Sequence, residues 1–424
     1  MTETVYPATL SGRTQAPASK SHTIRAILIA SLAEGVSRID HPLDSEDAAS
    51  CIATCRALGA DIEESDRDCL IVTGTAGRPA APSDTIDVGN SGTTLFLAMG
   101  TAALASGTTV FTGDEQIRRR SAQNLLTALS ELGASSWSHN GDGCAPLSVT
   151  GGLAGGNISL ESPTSQYLSS LLLACPLATG DSSITLPLLW ERPYVDMTLW
   201  WLERQGIAYE RDGYERFSVK GGQAYKAFRT DVPGDYSSAT FLFVAAAITG
   251  GTVTVEEIHP DDPQGDRAVL DMLSSLGCEV SWPRPRTVKV KGPGYGNLAG
   301  GTLDLNATPD ALPALAVLGA ACDSPLHLTN VPQARAKETD RIDVMAKELS
   351  TLGISVDEAE DGMTIHPGVI RGGSVHGHGD HRVVMALAVA GLASRERVTV
   401  DTAERAAVTY PGFFETLREL SAGK

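Results

Sequence analysis

The sequence predicts an α/β protein of two domains, each built from three copies of one module. Three observations carry this: a motif that returns about every 72 residues, a second helix that returns in step with it, and Pro-containing stretches at both ends of the central block. A chain of 424 residues with 42% apolar side chains has room for two or three cores at roughly 150 residues each.

The recurring motif is a short polar or Gly-containing stretch that runs into an Ala/Leu-rich helical segment. It starts at Lys20, Ser91, Thr164, Tyr236, Pro309 and His381. Each copy is followed by a β-prone run and then by a second helix closing at a Gly in a C-cap position, namely Gly59, Gly133, Gly206, Gly277 and Gly353. Val269, Met272, Leu273 and Leu276 have the i, i+3, i+4, i+7 spacing of one buried helix face. The sixth second helix is expected at Phe413–Leu420. Six modules exceed one ordinary core, so three per domain is the natural division. With linkers at Pro17 and Pro233, one domain is expected to be continuous over 18–233. The other joins 1–17 to 234–424, with the N-terminal strand pairing in the C-terminal half.

Charge narrows the function. The chain carries 33 Lys+Arg against 51 Asp+Glu, a formal net charge of -18. That argues against a nucleic-acid or anionic-membrane partner, since both need a broad positive face. The start lacks a basic n-region backed by an apolar core, and the apolar runs at 168–178, 240–248 and 314–321 are shorter than the ~18–20 residues of a span. A cytoplasmic protein is expected. Seven scattered cysteines give neither a disulfide framework nor zinc-ligand spacing, and Cys51 and Cys55 read as core thiols on one helix.

The scarce cations fall where a helix dipole disfavours them. Lys20 and Arg25 open the first repeat helix, and Arg118, Arg119 and Arg120 precede a helix expected over Ser121–Leu132. Arg335, Lys337 and Arg341 are expected to open the helix ending at Leu352, and His381 and Arg382 open the last repeat helix. Cations gathered with free N–H groups at helix starts make anion sites, so a multiply anionic substrate or substrate pair is expected. Glu338, three residues before Arg341, and Asp310, at the head of the fifth repeat helix, are candidate proton-transfer groups among these cations. Gly89-Asn90-Ser91-Gly92 lacks the GK[ST] of a Walker loop and the dinucleotide fingerprint. No HExxH, nucleophile elbow or paired CxxC is present, so no catalytic metal and no nucleotide cofactor is expected.

Several motifs occur in the order seen in the enolpyruvyl transferases. They are Pro17-Ala-Ser-Lys-Ser-His-Thr-Ile-Arg25, Gly89-Asn-Ser-Gly-Thr93, Thr164-Ser-Gln-Tyr167, Arg192-Pro-Tyr-Val-Asp-Met-Thr198, Lys337-Glu-Thr-Asp-Arg341 and Asp380-His-Arg382. The chain resembles that family over essentially its whole length. The resemblance implies two domains of three βαβαββ units each, about a pseudo-threefold axis, with the active site in the interdomain cleft. It implies transfer of the enolpyruvyl group of phosphoenolpyruvate to the 5-hydroxyl of shikimate 3-phosphate, a step of the shikimate pathway to chorismate and aromatic amino acids. It implies no cofactor, and a monomer is expected. By resemblance, Asp310, Glu338 and Lys20 are catalytic. Lys20, Ser21, Arg25, Thr164, Ser165, Gln166, Tyr194, Asp310, Gln333 and Lys337 meet shikimate 3-phosphate, with Thr164 and Ser165 on its phosphate. Lys20, Asn90, Gly92, Arg120, Gln166, Arg341 and Arg382 meet phosphoenolpyruvate.

Four positions depart from the family pattern. Val408 stands where a lysine is usual, Gln333 where Asn is frequent and Phe96 where Arg is frequent. Glu191 stands where many members carry a phosphate-binding Ser. A carboxylate facing a phosphate is repulsive, so Glu191 is expected to turn away or to pair with Arg192. Two alternatives are a UDP-N-acetylglucosamine enolpyruvyl transferase, against which the missing Cys in 112–119 counts, and a non-catalytic anion-binding paralogue.

Overall fold

The computed structural model describes residues 1–65 and 68–421. Its contacts divide the chain into two units, Ala18–Val232 and the pair Met1–Pro17 with Pro233–Lys424.

In the continuous unit the helices are α1 (Lys20–Leu32), α2 (Glu46–Ala57), α3 (Gly92–Ala102), α4 (Gln123–Glu131), α5 (Ser165–Ala174) and α6 (Arg192–Arg204). Three four-stranded sheets accompany them. In the second, the strand Ile86–Asp87 runs parallel to Thr108–Thr112, which is antiparallel to Leu147–Thr150, itself paired antiparallel with Ser135–Ser138. The third repeats this order with strands Gly156–Ser162, Ser182–Leu189, Arg216–Val219 and Tyr209–Asp212. The first draws its parallel partner from the far end of the unit: Arg229–Asp231 pairs with Val36–Asp40.

The discontinuous unit carries α7 (Tyr236–Thr249), α8 (Ala268–Ser275), α9 (Leu312–Ala320), α10 (Arg341–Thr351), α11 (His381–Leu392) and α12 (Phe413–Ser421). It borrows in the same way, since Gly12–Gln15 pairs parallel with Thr252–Glu256. Among the described residues the sixth repeat has no closing hairpin, and its sheet is completed by Thr2–Val5 against Val398–Asp401.

Helix type follows from sequence. The first helix of each repeat is buried nearly all round, as in α7, where every residue from Tyr236 to Ile248 is buried. α1, α3 and α5 pack together in one unit, and α7, α9 and α11 in the other. The second helices α4, α10 and α12 are amphipathic and bury one face each. Polar caps start the central helices: Ser19, Ser91, Thr164, Asp235 and Asp380 each accept from a backbone N–H one turn in.

Two expected helix starts are corrected. α4 begins at Gln123, after a 3-10 turn at Ile117–Arg119 and an extended Arg120, so Ser121 lies outside it. Asp340 caps α10, accepting from the backbone N–H of Ile342 and Asp343 at 3.1 Å, so of the expected cations Arg341 alone lies in the helix. Arg335 belongs to the 3-10 turn Pro332–Ala336 and Lys337 closes it; Glu338 stands in the loop between. At α10 the Asp340 cap decides the start by supplying the acceptor that the first N–H groups need.

Glycines close the repeats tightly. A Cβ on Gly74 would stand 2.2 Å from the Ala33 carbonyl oxygen, and one on Gly151 1.6 Å from that of Ala105. Backbone is packed on backbone there. Gly151→Ala is expected to cost about 1–3 kcal/mol, read as a lower thermal midpoint; an unchanged midpoint would refute the close approach.

Candidate active site

In the continuous unit the predicted residues gather at the heads of α1, α3 and α5. Lys20 is the first helical residue of α1, and its Nζ lies 3.2 Å from Asp47 Oδ2 on the first turn of α2. Arg25 is buried. It donates to Thr198 Oγ1 at 2.9 Å and to the carbonyls of Ser21 and Tyr194 at 3.1 Å each. These acceptors are all neutral oxygens. Burial pulls its pKa down to about 10, so it stays charged at neutral pH.

The head of α3 is built around a missing side chain. A Cβ on Gly92 would stand 2.5 Å from Arg120 Nη1, so glycine there lets the guanidinium lie against the first turn. Asn90 donates to Asp114 Oδ2 and Gln116 Oε1, both at 2.6 Å, which ties the loop before α3 to the turn carrying Arg120. Gln166 Nε2 reaches Thr93 Oγ1 at 3.0 Å and joins the heads of α5 and α3. Thr93 was not singled out in the sequence; its place one residue after Gly92 is the signal that marks it.

Glu191 does not turn away from the head of α5, which corrects that arm of the expectation. Its carboxylate is buried and accepts from Ser165 N–H at 3.1 Å, Ser165 Oγ at 2.9 Å and Thr164 Oγ1 at 3.2 Å. A buried carboxylate needs donors, and the start of a helix supplies them. The Arg192 guanidinium lies over the Tyr214 ring, 5.0 Å from its centre.

In the discontinuous unit both candidate proton-transfer acids are ion-paired. Buried Arg341 donates from Nη1 to Asp310 Oδ1 at 2.7 Å, from Nη2 to Glu338 Oε2 at 2.6 Å and from Nε to Asp380 Oδ2 at 2.8 Å. Arg382 Nη2 meets the other Asp310 oxygen at 2.9 Å, so Asp310 bridges two guanidiniums. Asp380 also caps α11, accepting from the Arg382 N–H at 2.9 Å. Burial opposes the charge of Arg341, yet Asp380, Glu338 and Asp310 hold its pKa well above the ordinary value. Burial likewise opposes ionisation of Asp380, but Arg341 keeps its pKa below the usual carboxylate range. Asp380 had only motif status in the sequence; an Asp directly before a repeat helix is the cap signal that reveals it.

The remaining predicted residues surround this network. Gln333 is buried, donates to the Asn306 carbonyl at 3.0 Å, and leaves its Oε1 without a hydrogen-bond partner among the described residues. Lys337 is half-buried. Arg335 is occupied by Asp340 and Glu358 at 2.7 Å each, which makes it structural. Val408 is buried in the 3-10 turn Ala403–Val408, with Arg405 three residues earlier. Asp266, fully buried and bonded to Ser237, has its pKa raised to about 7 by burial and then by the charge of Asp310.

Two predictions follow from these charges. Arg341→Ala leaves buried carboxylates uncompensated and is expected to cost about 3–5 kcal/mol; a thermal midpoint like that of the parent would refute the network. For Asp266 the folded pKa lies above the unfolded ~3.9. The folded state therefore binds its proton more tightly, and the contribution to stability is lost as pH rises from about 4 to about 7. Asp266→Asn is expected to raise the midpoint at pH 8 and to change it little at pH 4, and equal shifts at both pH values would count against it.

Comparison with known proteins places this geometry. The sequence model of EPSP synthase (3-phosphoshikimate 1-carboxyvinyltransferase) matches residues 5–417. A 3-phosphoshikimate 1-carboxyvinyltransferase of Acetivibrio thermocellus is 48% identical over 412 residues, 97% of this chain and 96% of that protein. One of Methanococcoides burtonii is 45% identical, covering 100% and 98%. The solved structure of an EPSP synthase from Acinetobacter baumannii aligns with a TM-score of 0.82 at 28% identity, over 99% of this chain and 98% of the other. Among the described residues no helix is long and apolar enough to cross a membrane. The chain, with its six modules and its paired Asp310, Glu338, Arg341 and Arg382, belongs to the EPSP synthase (3-phosphoshikimate 1-carboxyvinyltransferase) family.

Proposed function

We propose that the chain transfers the enolpyruvyl group of phosphoenolpyruvate to the 5-hydroxyl of shikimate 3-phosphate and releases inorganic phosphate. The observation that carries the reading is Asp310 held between Arg341 and Arg382 with Glu338 on the same guanidinium. An addition-elimination needs a base for the hydroxyl, an acid for the methylene carbon and cations for two oxyanions, and these residue types stand together.

In the proposed reaction Asp310 takes the proton of the 5-hydroxyl as its oxygen bonds to C2 of phosphoenolpyruvate. Glu338, helped by Lys20, protonates C3. The tetrahedral adduct then loses phosphate from C2 and a proton from C3, which restores the double bond. Arg120 beside Gly92, with Arg341 and Arg382, holds phosphoenolpyruvate, while Arg25, whose own partners are neutral, and Lys337 face the acceptor's oxygens. Thr164 and Ser165 hold the acceptor's 3-phosphate, Ser21, Gln166, Tyr194 and Gln333 complete its contacts, and the open Oε1 of Gln333 suits a hydroxyl donor. The proposal carries with it a cytoplasmic location and a monomeric state.

The purified chain, given both substrates and a chelator, is expected to release phosphate, and Asp310→Asn to lower turnover by about 10²–10⁴-fold while remaining folded. No release at millimolar substrates would overturn the assignment; near-parental turnover of the variant would remove Asp310 from the base role.

A further inference from the structure

The head of α5 already holds an anion that belongs to the protein. Glu191 is 2% exposed, and its Oε2 gathers the Ser165 N–H and the hydroxyls of Ser165 and Thr164 within 3.2 Å. These are the donors that the proposed function gives to the acceptor's 3-phosphate. A phosphate oxygen and a carboxylate oxygen want the same N–H and O–H groups, and the two charges repel.

The backbone strengthens the point. Glu191 has φ 58 and ψ 40, a left-handed conformation unusual for a residue with a side chain. It stands as N-cap of α6, and its carbonyl accepts from Tyr194 N–H at 3.0 Å. The main chain is therefore pinned at both its strained dihedrals and its hydrogen bond. The carboxylate can leave the α5 head only by rotating its own side chain.

We propose that Glu191 is a specificity-determining residue: its carboxylate is an internal occupant of the phosphate seat on α5, which the acceptor's 3-phosphate must displace. The proposal rests on the reading that Thr164 and Ser165 hold that phosphate. It makes the chain weaker for the phosphorylated acceptor than the same fold with a neutral side chain at 191, and indifferent at this position to an acceptor without the phosphate.

Calorimetric titration of shikimate 3-phosphate, shikimate and inorganic phosphate, without phosphoenolpyruvate, tests it on the parent, Glu191→Ser and Glu191→Gln. Glu191→Ser is expected to tighten shikimate 3-phosphate and inorganic phosphate at least tenfold, with shikimate moved less than twofold. Glu191→Gln, which keeps length and loses charge, is expected to tighten the two phosphate ligands by a smaller factor and guards against a misfolded Ser variant. In turnover, KM for shikimate 3-phosphate is expected to fall by a larger factor than kcat or KM for phosphoenolpyruvate changes. Unchanged or weakened shikimate 3-phosphate binding in both folded variants overturns the proposal, as does an equal shift for shikimate. Because binding is read without turnover, a parent that releases no phosphate would defeat the synthase assignment while the titrations still decide the role of Glu191.

Discussion

Each unit is organised by helices that have no polar face. α1, α3 and α5 in one, and α7, α9 and α11 in the other, are buried along nearly their whole length and satisfy that burial by packing on each other. Such helices place polar groups at their ends alone. Ser19, Ser91, Thr164, Asp235 and Asp380 cap the starts, and the candidate residues of each unit lie just inside or just before such starts. The site is thus a consequence of how an apolar helix must begin.

The buried arginines show two electrostatic solutions to the same problem. Arg341 is surrounded by Asp310, Glu338 and Asp380, so its charge is answered within the protein. Arg25 is equally buried and, among the described residues, donates to carbonyl and hydroxyl oxygens, and the proposed function has a ligand answer its charge. The first fixes the positions of the acids. Glu191 is a buried carboxylate whose Oε2 accepts from Thr164 and Ser165 at a helix start.

Much of this was legible in the chain because it is periodic. The 72-residue spacing gave the six modules, and the Gly residues after each second helix marked its end, as at Leu58-Gly59 and Leu132-Gly133. The motif residues gave Lys20, Arg25, Asp310 and Arg341 as site candidates. Helix starts at α4 and α10 were less legible, since a run of cations before a helix does not say which residue caps it. The bond between Asp380 and Arg341 joins residues 39 positions apart, and no local pattern encodes such a pair.

The sequence by itself determined the repeat, its helix periods and the residue types at each repeat head, because these depend on neighbours within a turn or two of chain. Tertiary structure decided which heads meet and what each side chain faces. Strands Gly12–Gln15 and Arg229–Asp231 find parallel partners far along the chain, and Glu191 settles on Ser165 and Thr164 where sequence argument has it turning away or pairing with Arg192. The reason is that a buried charge takes the nearest adequate donors in space. Those donors come from α5, which only folding brings to the start of α6.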